Sequence, residues 1–189
     1  MIAQQRVRRS IALAGLIAGL AAPAAASVPP QIQVTTDAAT SAGVVHGAVE
    51  IDAPPAVVWR VIIDPANTAR LMTGVKSCKV LQRDPAGRWD VREQVSKAGL
   101  LPSVRIVMRT DYLPTTLIRF HRTDGDVKVL DGEWRLTPLD GGTHTRVDYD
   151  SRVVSPFPAP AMIVRAILRK DMPQTLANLR EASEAAARP

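Results

Sequence analysis

The sequence predicts an α+β fold in which one curved antiparallel sheet wraps around a single long C-terminal helix. Three observations support this prediction. Residues 49–64 have the pattern of a strand followed at once by a proline-initiated helix. Strand-like segments separated by Gly, Pro and Asp turns then fill residues 75–154, as in consecutive hairpins. The only long helical segment left is 160–187, which closes the chain.

The first 26 residues are predicted to be a cleaved signal peptide. Arginines within positions 6–9 precede a short apolar run at 11–20, and the alanines at 24–26 fit the small-residue cleavage rule. A transmembrane anchor is the alternative, but the run is shorter than the ~20 residues that a spanning helix needs. Arg8-Arg9 also suggests the twin-arginine route, although the residues after the pair match that signal poorly. We therefore expect a periplasmic or secreted protein.

Cleavage after residue 26 lowers the net charge of the chain. The whole chain has 24 Lys and Arg against 18 Asp and Glu, a net charge of +6; without three signal arginines, 21 against 18 remain, which is +3. The basic residues lie among acids with no basic run, so nucleic-acid binding is disfavoured. The remaining 163 residues suit one domain with a core. The only cysteine, Cys78, excludes an intrachain disulfide and is typical of a small buried hydrophobe.

The elements of the domain follow in order. Residues 27–43 have no sustained period and are predicted to be a flexible leader, whereas 44–187 form the folded domain. The first strand covers 44–51. The next helix begins at Pro54-Pro55, where a missing N–H costs nothing, and ends at Asp64-Pro65. A second short helix follows. This helix covers residues 66–72. Six strands are predicted after it, at 75–82, 88–97, 103–112, 116–122, 128–138 and 143–154.

Alternation within these strands separates a wet face from a dry face, as in a sheet with one covered side. In the strand 88–97, the dry side is predicted to hold Trp89, Val91, Glu93 and Val95, opposite Asp90, Arg92, Gln94 and Ser96. The helix 160–187 covers the dry face. Its apolar stripe is predicted to contain Met162, Ile163, Ala166, Ile167, Leu176 and Leu179. Pro173 interrupts its hydrogen bonds and should kink it.

A curved sheet around a lone helix leaves a cavity of the kind that binds apolar molecules. The predicted ligand-binding residues face it from the strands and the last helix: Trp89, Val91, Glu93, Val104, Ile106, Met108, Phe120, Arg122, Trp134, Leu136, Tyr149, Ile163 and Ile167. Glu93 and Arg122 pair inside the cavity or contact a polar ligand head, unless both reach water at strand ends. The tryptophans either pack in the core or stack on a ligand.

Two loops, residues 99–102 and 157–162, are unusually apolar. They form the cavity mouth, contact a membrane surface, or pack against one another. Catalytic signatures are missing: the histidines at 46, 121 and 144 lack metal-ligand spacing, and no phosphate loop or nucleophile elbow is present. We therefore predict no catalytic residue, no metal and no cofactor.

Three stretches carry a family resemblance. They are the strand-to-helix segment 49–64, the run Gly-Glu-Trp-Arg-Leu-Thr-Pro at 132–138, and Gly142-Thr143 leading into Val147-Asp148-Tyr149; the closing helix with Leu176 and Leu179-Arg180 also fits. On these residues, from about 44 to 182, the chain resembles the START-like (SRPBCC) superfamily with the helix-grip fold, closest to its polyketide cyclase/dehydrase and coenzyme Q-binding group. The resemblance implies about seven strands, two short helices after the first strand, and a cavity that binds lipids, quinones, sterols or polyketides. A minority of members catalyse cyclisation or dehydration.

Three functional hypotheses follow. The leading one is an exported, non-enzymatic protein that binds a hydrophobic small molecule and contacts a membrane surface transiently to transfer lipid. The second is a cyclase or dehydratase in which Glu93, Arg122 or Tyr149 orients or protonates a polyketide-like or aromatic substrate. The third is a structural or interaction module whose cavity is filled by its own side chains. Export departs from the better-known intracellular members of the superfamily.

Overall fold

A computed structural model describes residues 28–37, 40, 42–97 and 102–188 of the chain. The predicted signal peptide at 1–26 and positions 99–101 of the first apolar loop lie outside the described residues.

The structure confirms the α+β fold and all seven predicted strands, and it adds an eighth. The elements in chain order are β1 (Gln31–Thr36), β2 (Gly43–Ile51), α1 (Pro55–Ile63), α2 (Pro65–Leu71), β3 (Val75–Arg83), β4 (Trp89–Ser96), β5 (Val104–Leu113), β6 (Leu117–Gly125), β7 (Val129–Leu139), β8 (His144–Val154) and α3 (Ala161–Ala187). All neighbouring strands are antiparallel, in the order β1-β2-β8-β7-β6-β5-β4-β3. The strands from β3 to β8 are therefore a meander, and β2 joins it by pairing with β8.

The additional strand corrects the prediction of a flexible leader over 27–43. Within that range β1 pairs with β2 from Gln31 opposite Ala48 to Thr36 opposite Gly43. Val34 is buried in the core, and Ile32 packs against it. The alternation of only two apolar residues among glutamines and threonines is too short to stand out in the sequence, and pairing along an existing strand stabilises it.

Local signals explain how α1 and α2 follow β2. Pro55 begins α1, because proline is tolerated at the first position of a helix. The side chain of Asp64 then accepts a hydrogen bond from the Ala66 backbone N–H at 2.9 Å and caps α2. Val58 and Trp59 of α1 and Leu71 of α2 are buried against the sheet and α3. The two short helices therefore cover one end of the concave face.

The long helix α3 covers the rest of that face and continues through Pro173. Its N-terminal half approaches β2 closely: a Cβ on Gly43 would lie 2.3 Å from Leu168 Cδ1 and 3.1 Å from Val164 Cγ1. A larger residue at this position would require the Leu168 side chain to move. The buried side chains of α3 are Val164, Met172, Thr175, Leu176, Leu179 and Ser183.

The predicted stripe of α3 is therefore right at Leu176 and Leu179 and wrong in the first three turns. Met162 and Ile163 are 75% and 48% exposed, and Ile167 is only half-buried. Val164 and Leu168, four residues apart, face β2 in their place. Sequence periodicity alone could not choose between the two faces, because both carry apolar residues in this part of the helix.

Candidate functional site

A cavity of about 100 Å³ lies between the concave face of the sheet and the three helices. Its walls are mainly apolar. They consist of Ile62 and Ile63 from α1, Thr68, Leu71 and Met72 in and after α2, Arg92 and Gln94 from β4, Met108, Thr110 and Tyr112 from β5, Ile118 and Phe120 from β6, Leu130 and Trp134 from β7, Tyr149 from β8, and Thr175 and Leu179 from α3. The expected space beneath α3 therefore exists within the described residues, but it is small.

Aromatic side chains form the wall of the cavity on β6, β7 and β8. The rings of Trp134 and Tyr149 have centroids 4.3 Å apart, and Phe120 stacks on the other side of Tyr149 at 6.2 Å. The sheet register explains this contact, because Trp134 lies directly opposite Tyr149 and Phe120 opposite Gly132. A Cβ on Gly132 would lie 2.6 Å from Phe120 Cζ, so the glycine makes room for the ring.

A buried polar cluster occupies the opposite wall. Asp90, 1% exposed, accepts hydrogen bonds from Arg92 Nε at 2.8 Å and Arg92 Nη2 at 2.9 Å. It also accepts one from the Tyr112 hydroxyl at 2.8 Å, and Arg92 Nη2 donates to the Ile63 carbonyl at 2.6 Å. The bidentate geometry and the additional bonds satisfy the buried charges. We name these three residues, Asp90, Arg92 and Tyr112, the polar cluster.

Burial and charge act on the two titratable members of the polar cluster that face the cavity. Burial alone would lower the pKa of Arg92, but its hydrogen bonds to Asp90 and the nearby negative charges outweigh burial, so the net pKa is raised. Burial raises the pKa of Tyr112 well above its usual value; the positive charge of Arg92 opposes this, and the hydrogen bond to Asp90 adds to it. At neutral pH the cavity therefore presents a guanidinium and a protonated phenol.

The predicted face of β4 is wrong. Arg92 and Gln94 line the cavity, so Trp89, Val91 and Glu93 lie on the outer face of the sheet. There Glu93 pairs with Arg105 at 2.7 Å instead of Arg122, and the Arg109 guanidinium lies 4.3 Å from the centroid of the Trp89 ring. The polar residues that were expected to face solvent are buried because they satisfy one another.

The other predicted site residues fall into three groups. Met108, Phe120, Trp134 and Tyr149 line the cavity, and their role in binding stays a prediction. Leu136 is fully buried in the core, and Ile106 packs against that core. Val104 is half-buried at the start of β5, and Ile163 and Ile167 lie outside the cavity on α3.

Arg122 lies on the cavity side of β6 but does not contact the cavity. It pairs in register with Met108, so its side chain leaves the sheet on the cavity side. Its Nη2 donates to the Gly125 carbonyl at 2.8 Å, but its Nε is buried without a partner among the described residues. It does not line the cavity, and its predicted ion pair with Glu93 is absent from the described residues.

Sequence reasoning missed the cavity residues of both short helices, of α3 and of the polar wall. In and after the short helices these residues are Ile62, Thr68 and Met72, and on α3 the residue is Thr175. The sequence does contain a signal for the polar wall. Asp90 and Arg92 are two residues apart and so lie on one face of the strand, where they can form an ion pair with each other.

Three further observations concern the described residues. They contain no group of three or more His, Cys, Asp or Glu side chains that could hold a metal ion. None of their helices has the length and apolarity needed to cross a membrane. Burial raises the pKa of the Cys78 thiol, although a hydrogen bond with Thr68 opposes this effect. The raised pKa keeps the thiol protonated at neutral pH.

Comparisons with solved structures agree with the fold. The protein TTHA0849 from Thermus thermophilus is 24% identical with a TM-score of 0.64, over 77% of this chain and 99% of that chain. The Zhui aromatase/cyclase from Streptomyces sp. R1128 is 18% identical with a TM-score of 0.66, over 78% and 96%. A STAR-related lipid transfer protein from Xanthomonas axonopodis is 15% identical with a TM-score of 0.70, over 85% and 96%. At these identities the similarity shows the fold alone.

The sequence comparison identifies the family. No curated protein matches the chain in sequence. The profile of the family described as polyketide cyclase/dehydrase and lipid transport matches residues 51–180, from the end of β2 into α3. This range contains the whole cavity wall and the whole polar cluster. The chain therefore belongs to the polyketide cyclase/dehydrase and lipid transport family.

Proposed function

We propose that this protein binds an apolar small molecule with one polar group in the cavity beneath α3, as a carrier and not as an enzyme. The observation that carries the proposal is the asymmetry of the cavity. Aromatic and aliphatic side chains form most of the wall, and one buried guanidinium and one phenol converge from β4 and β5. Such a wall favours an apolar body and orients it by one hydrogen-bonding group. Lipids, quinones and polyketide-like molecules have this form.

The size of the cavity limits how the ligand binds. Pockets for drug-sized ligands have volumes of roughly 300–1,000 Å³, and this cavity measures about 100 Å³. Binding therefore requires lining side chains to move. Met72 and Met108 are suited to this, because methionine has three rotatable bonds and repacks readily. A ligand of one or two rings needs the smallest rearrangement.

A cyclase or dehydratase activity is the second candidate function. The polar cluster supports it, because it contains a proton donor beside the cavity. The Tyr112 hydroxyl donates to Asp90 and accepts from Arg92 Nη2, so its proton is held by a carboxylate. That arrangement suits positioning of a ligand oxygen better than proton transfer. Turnover of a polyketide-like substrate that is lost in Tyr112→Phe while binding remains would favour the enzyme over the carrier.

A paired ligand and a paired variant test the carrier. Titration of the protein with 2-naphthol and with naphthalene, followed by tryptophan fluorescence, compares one apolar body with and without a hydroxyl. We expect tighter binding of 2-naphthol. Leu130→Trp fills the cavity from β7 and should abolish binding, whereas Val91→Trp on the outer face should not. Equal affinity of wild type and Leu130→Trp, or no binding to wild type, contradicts the proposal.

Export and contact with a membrane surface are part of the same proposal. Export is supported by the sequence pattern of residues 1–26. Sequencing the N-terminus of the protein recovered from separated cell fractions tests it. A periplasmic or secreted protein that starts near Ser27 is expected, and an intact N-terminus in the cytoplasmic fraction contradicts export.

A further inference from the structure

We infer that the N-terminal half of α3 is a docking surface for an anionic lipid bilayer. The docking surface consists of Met162, Ile163, Arg165, Arg169 and Lys170, all exposed. The inference deepens the proposed function and rests on it only for the idea that the bilayer supplies or receives the ligand.

The first observation is the exposure of large apolar side chains at the start of α3. Met162 and Ile163 are exposed at 75% and 48%, beside one another at the end of the fold where the β8–α3 loop turns. A hollow of about 360 Å³ lies at the β8–α3 loop, lined in part by Phe157, Pro158 and Pro160; its contact on α3 is Val164. Apolar side chains and a hollow at one end of a fold are typical of an interaction site.

The second observation is the charge around these side chains. Residues 155–170 contain three basic residues and no acid. The next residue, Asp171, is a half-buried carboxylate whose charge interacts with Lys170. At 3.6 residues per turn, the five residues of the docking surface fall within an arc of about 160° around α3, opposite the buried Val164. None of the three cations forms an ion pair with a residue that the structure describes. Lys128 lines the same hollow and adds a further positive charge.

The combination favours a lipid surface over a protein partner. Apolar side chains flanked by Lys and Arg on one face are the pattern of helices that lie in the membrane interface. The opposite half of α3 provides Thr175 and Leu179 to the cavity, about 8–26 Å further along at 1.5 Å per residue. One helix therefore connects the docking surface to the cavity.

Sedimentation of the full chain with vesicles tests the inference. Phosphatidylcholine vesicles with and without phosphatidylglycerol are compared. Residues 1–27, with their three arginines, are present in every variant, so the differences between variants report on α3. The apolar variant is Met162→Ser with Ile163→Ser, and its control is Leu81→Ser with Leu113→Ser, two leucines that are also exposed. The charge variant replaces Arg165, Arg169 and Lys170 by Gln. Its control replaces Lys76, Lys79 and Arg83 on β3, all exposed, by Gln.

Wild type should prefer phosphatidylglycerol vesicles. The charge variant should lose about fivefold in affinity for each charge removed, the apolar variant about tenfold, and both controls should bind like wild type. Leu130→Trp should still bind vesicles, which separates failure of docking from failure of ligand binding. The inference is overturned if wild type shows no preference for phosphatidylglycerol, if the docking variants match wild type, or if the controls lose as much. Self-association without vesicles that disappears in Met162→Ser with Ile163→Ser also overturns it, in favour of a second copy of the chain.

Discussion

Replacing Asp90 by Asn should destabilise the fold severely, although the two side chains have the same shape. The substitution removes the charge that compensates Arg92, which is 7% exposed, and it disturbs three hydrogen bonds that Asp90 accepts from Arg92 and Tyr112. Removing one partner of a buried ion pair costs about 3–5 kcal/mol, because the other charge stays buried without compensation. This is a large share of the ~5–15 kcal/mol that stabilises a typical domain.

Urea unfolding followed by tryptophan fluorescence and circular dichroism measures the effect. With a slope of about 2 kcal/mol per molar urea, the midpoint should fall by about 2 M. The matched control is Asp111→Asn, which removes a carboxylate from a partly exposed ion pair with Arg109 at 2.9 Å. Exposed pairs contribute about 0–1 kcal/mol, so this control should stay close to wild type.

A double variant separates the buried charge from general damage to the core. Asp90→Leu with Arg92→Met replaces the whole ion pair by apolar side chains, which is often neutral or stabilising. It should be more stable than Asp90→Asn, apart from the cost of leaving the Tyr112 hydroxyl without its acceptor. The reasoning is refuted if Asp90→Asn unfolds within about 1 kcal/mol of wild type, or if the double variant is the less stable of the two.

Three further predictions concern the cavity wall. The raised pKa of Tyr112 means that above pH ~10 the unfolded chain releases this proton while the folded chain keeps it, so the free energy of unfolding falls as pH rises. Urea titrations at several alkaline pH values should show a shallower fall in Tyr112→Phe, and an equal fall would contradict the prediction. Gly132→Ala should strain the pairing of β7 with β8 and displace the Phe120 ring, because the new Cβ would lie 2.3 Å from the Asp150 carbonyl oxygen and 2.6 Å from Phe120 Cζ; both stability and 2-naphthol binding should therefore fall. Gly87→Ala, with no atom within 4 Å but a φ of 69°, should lose some stability and keep its affinity for 2-naphthol. Met108→Ala should cost about 2–5 kcal/mol of stability and admit larger ligands in the same fluorescence titration; unaltered selectivity would place Met108 outside the binding site.

The element order could be predicted from the sequence because each boundary has a local chemical cause. Pro55 and Asp64 mark the starts of α1 and α2, and short strands with Gly, Pro or Asp turns mark the meander. The exception is β1, where Ile32 and Val34 carry a pattern too brief to distinguish from a linker. Its formation depends on β2, which is a tertiary effect.

The cavity was less predictable because strand alternation reports which residues are apolar, and not which are buried. On β5, Met108 is both apolar and buried, so alternation places it correctly at the cavity. On β4 alternation does not place the residues correctly, since Asp90 and Arg92 are buried together while Trp89 is covered by Arg109 on the outer face. A polar pair that satisfies itself has the sequence pattern of a solvated surface, and only the register with β5 shows which face it occupies.

The pairing of β2 with β8 has a consequence for the order in which the chain assembles. Val49 lies opposite Val147, so nearly the whole meander is synthesised between two adjacent strands. The hairpins from β3 to β8 join neighbours in sequence and can form early, whereas closing a loop of this length is slow. A ribosome-bound chain that stops before residue 144 should thus leave β2 accessible to proteases and chaperones, and protection should arise only when the last strand emerges.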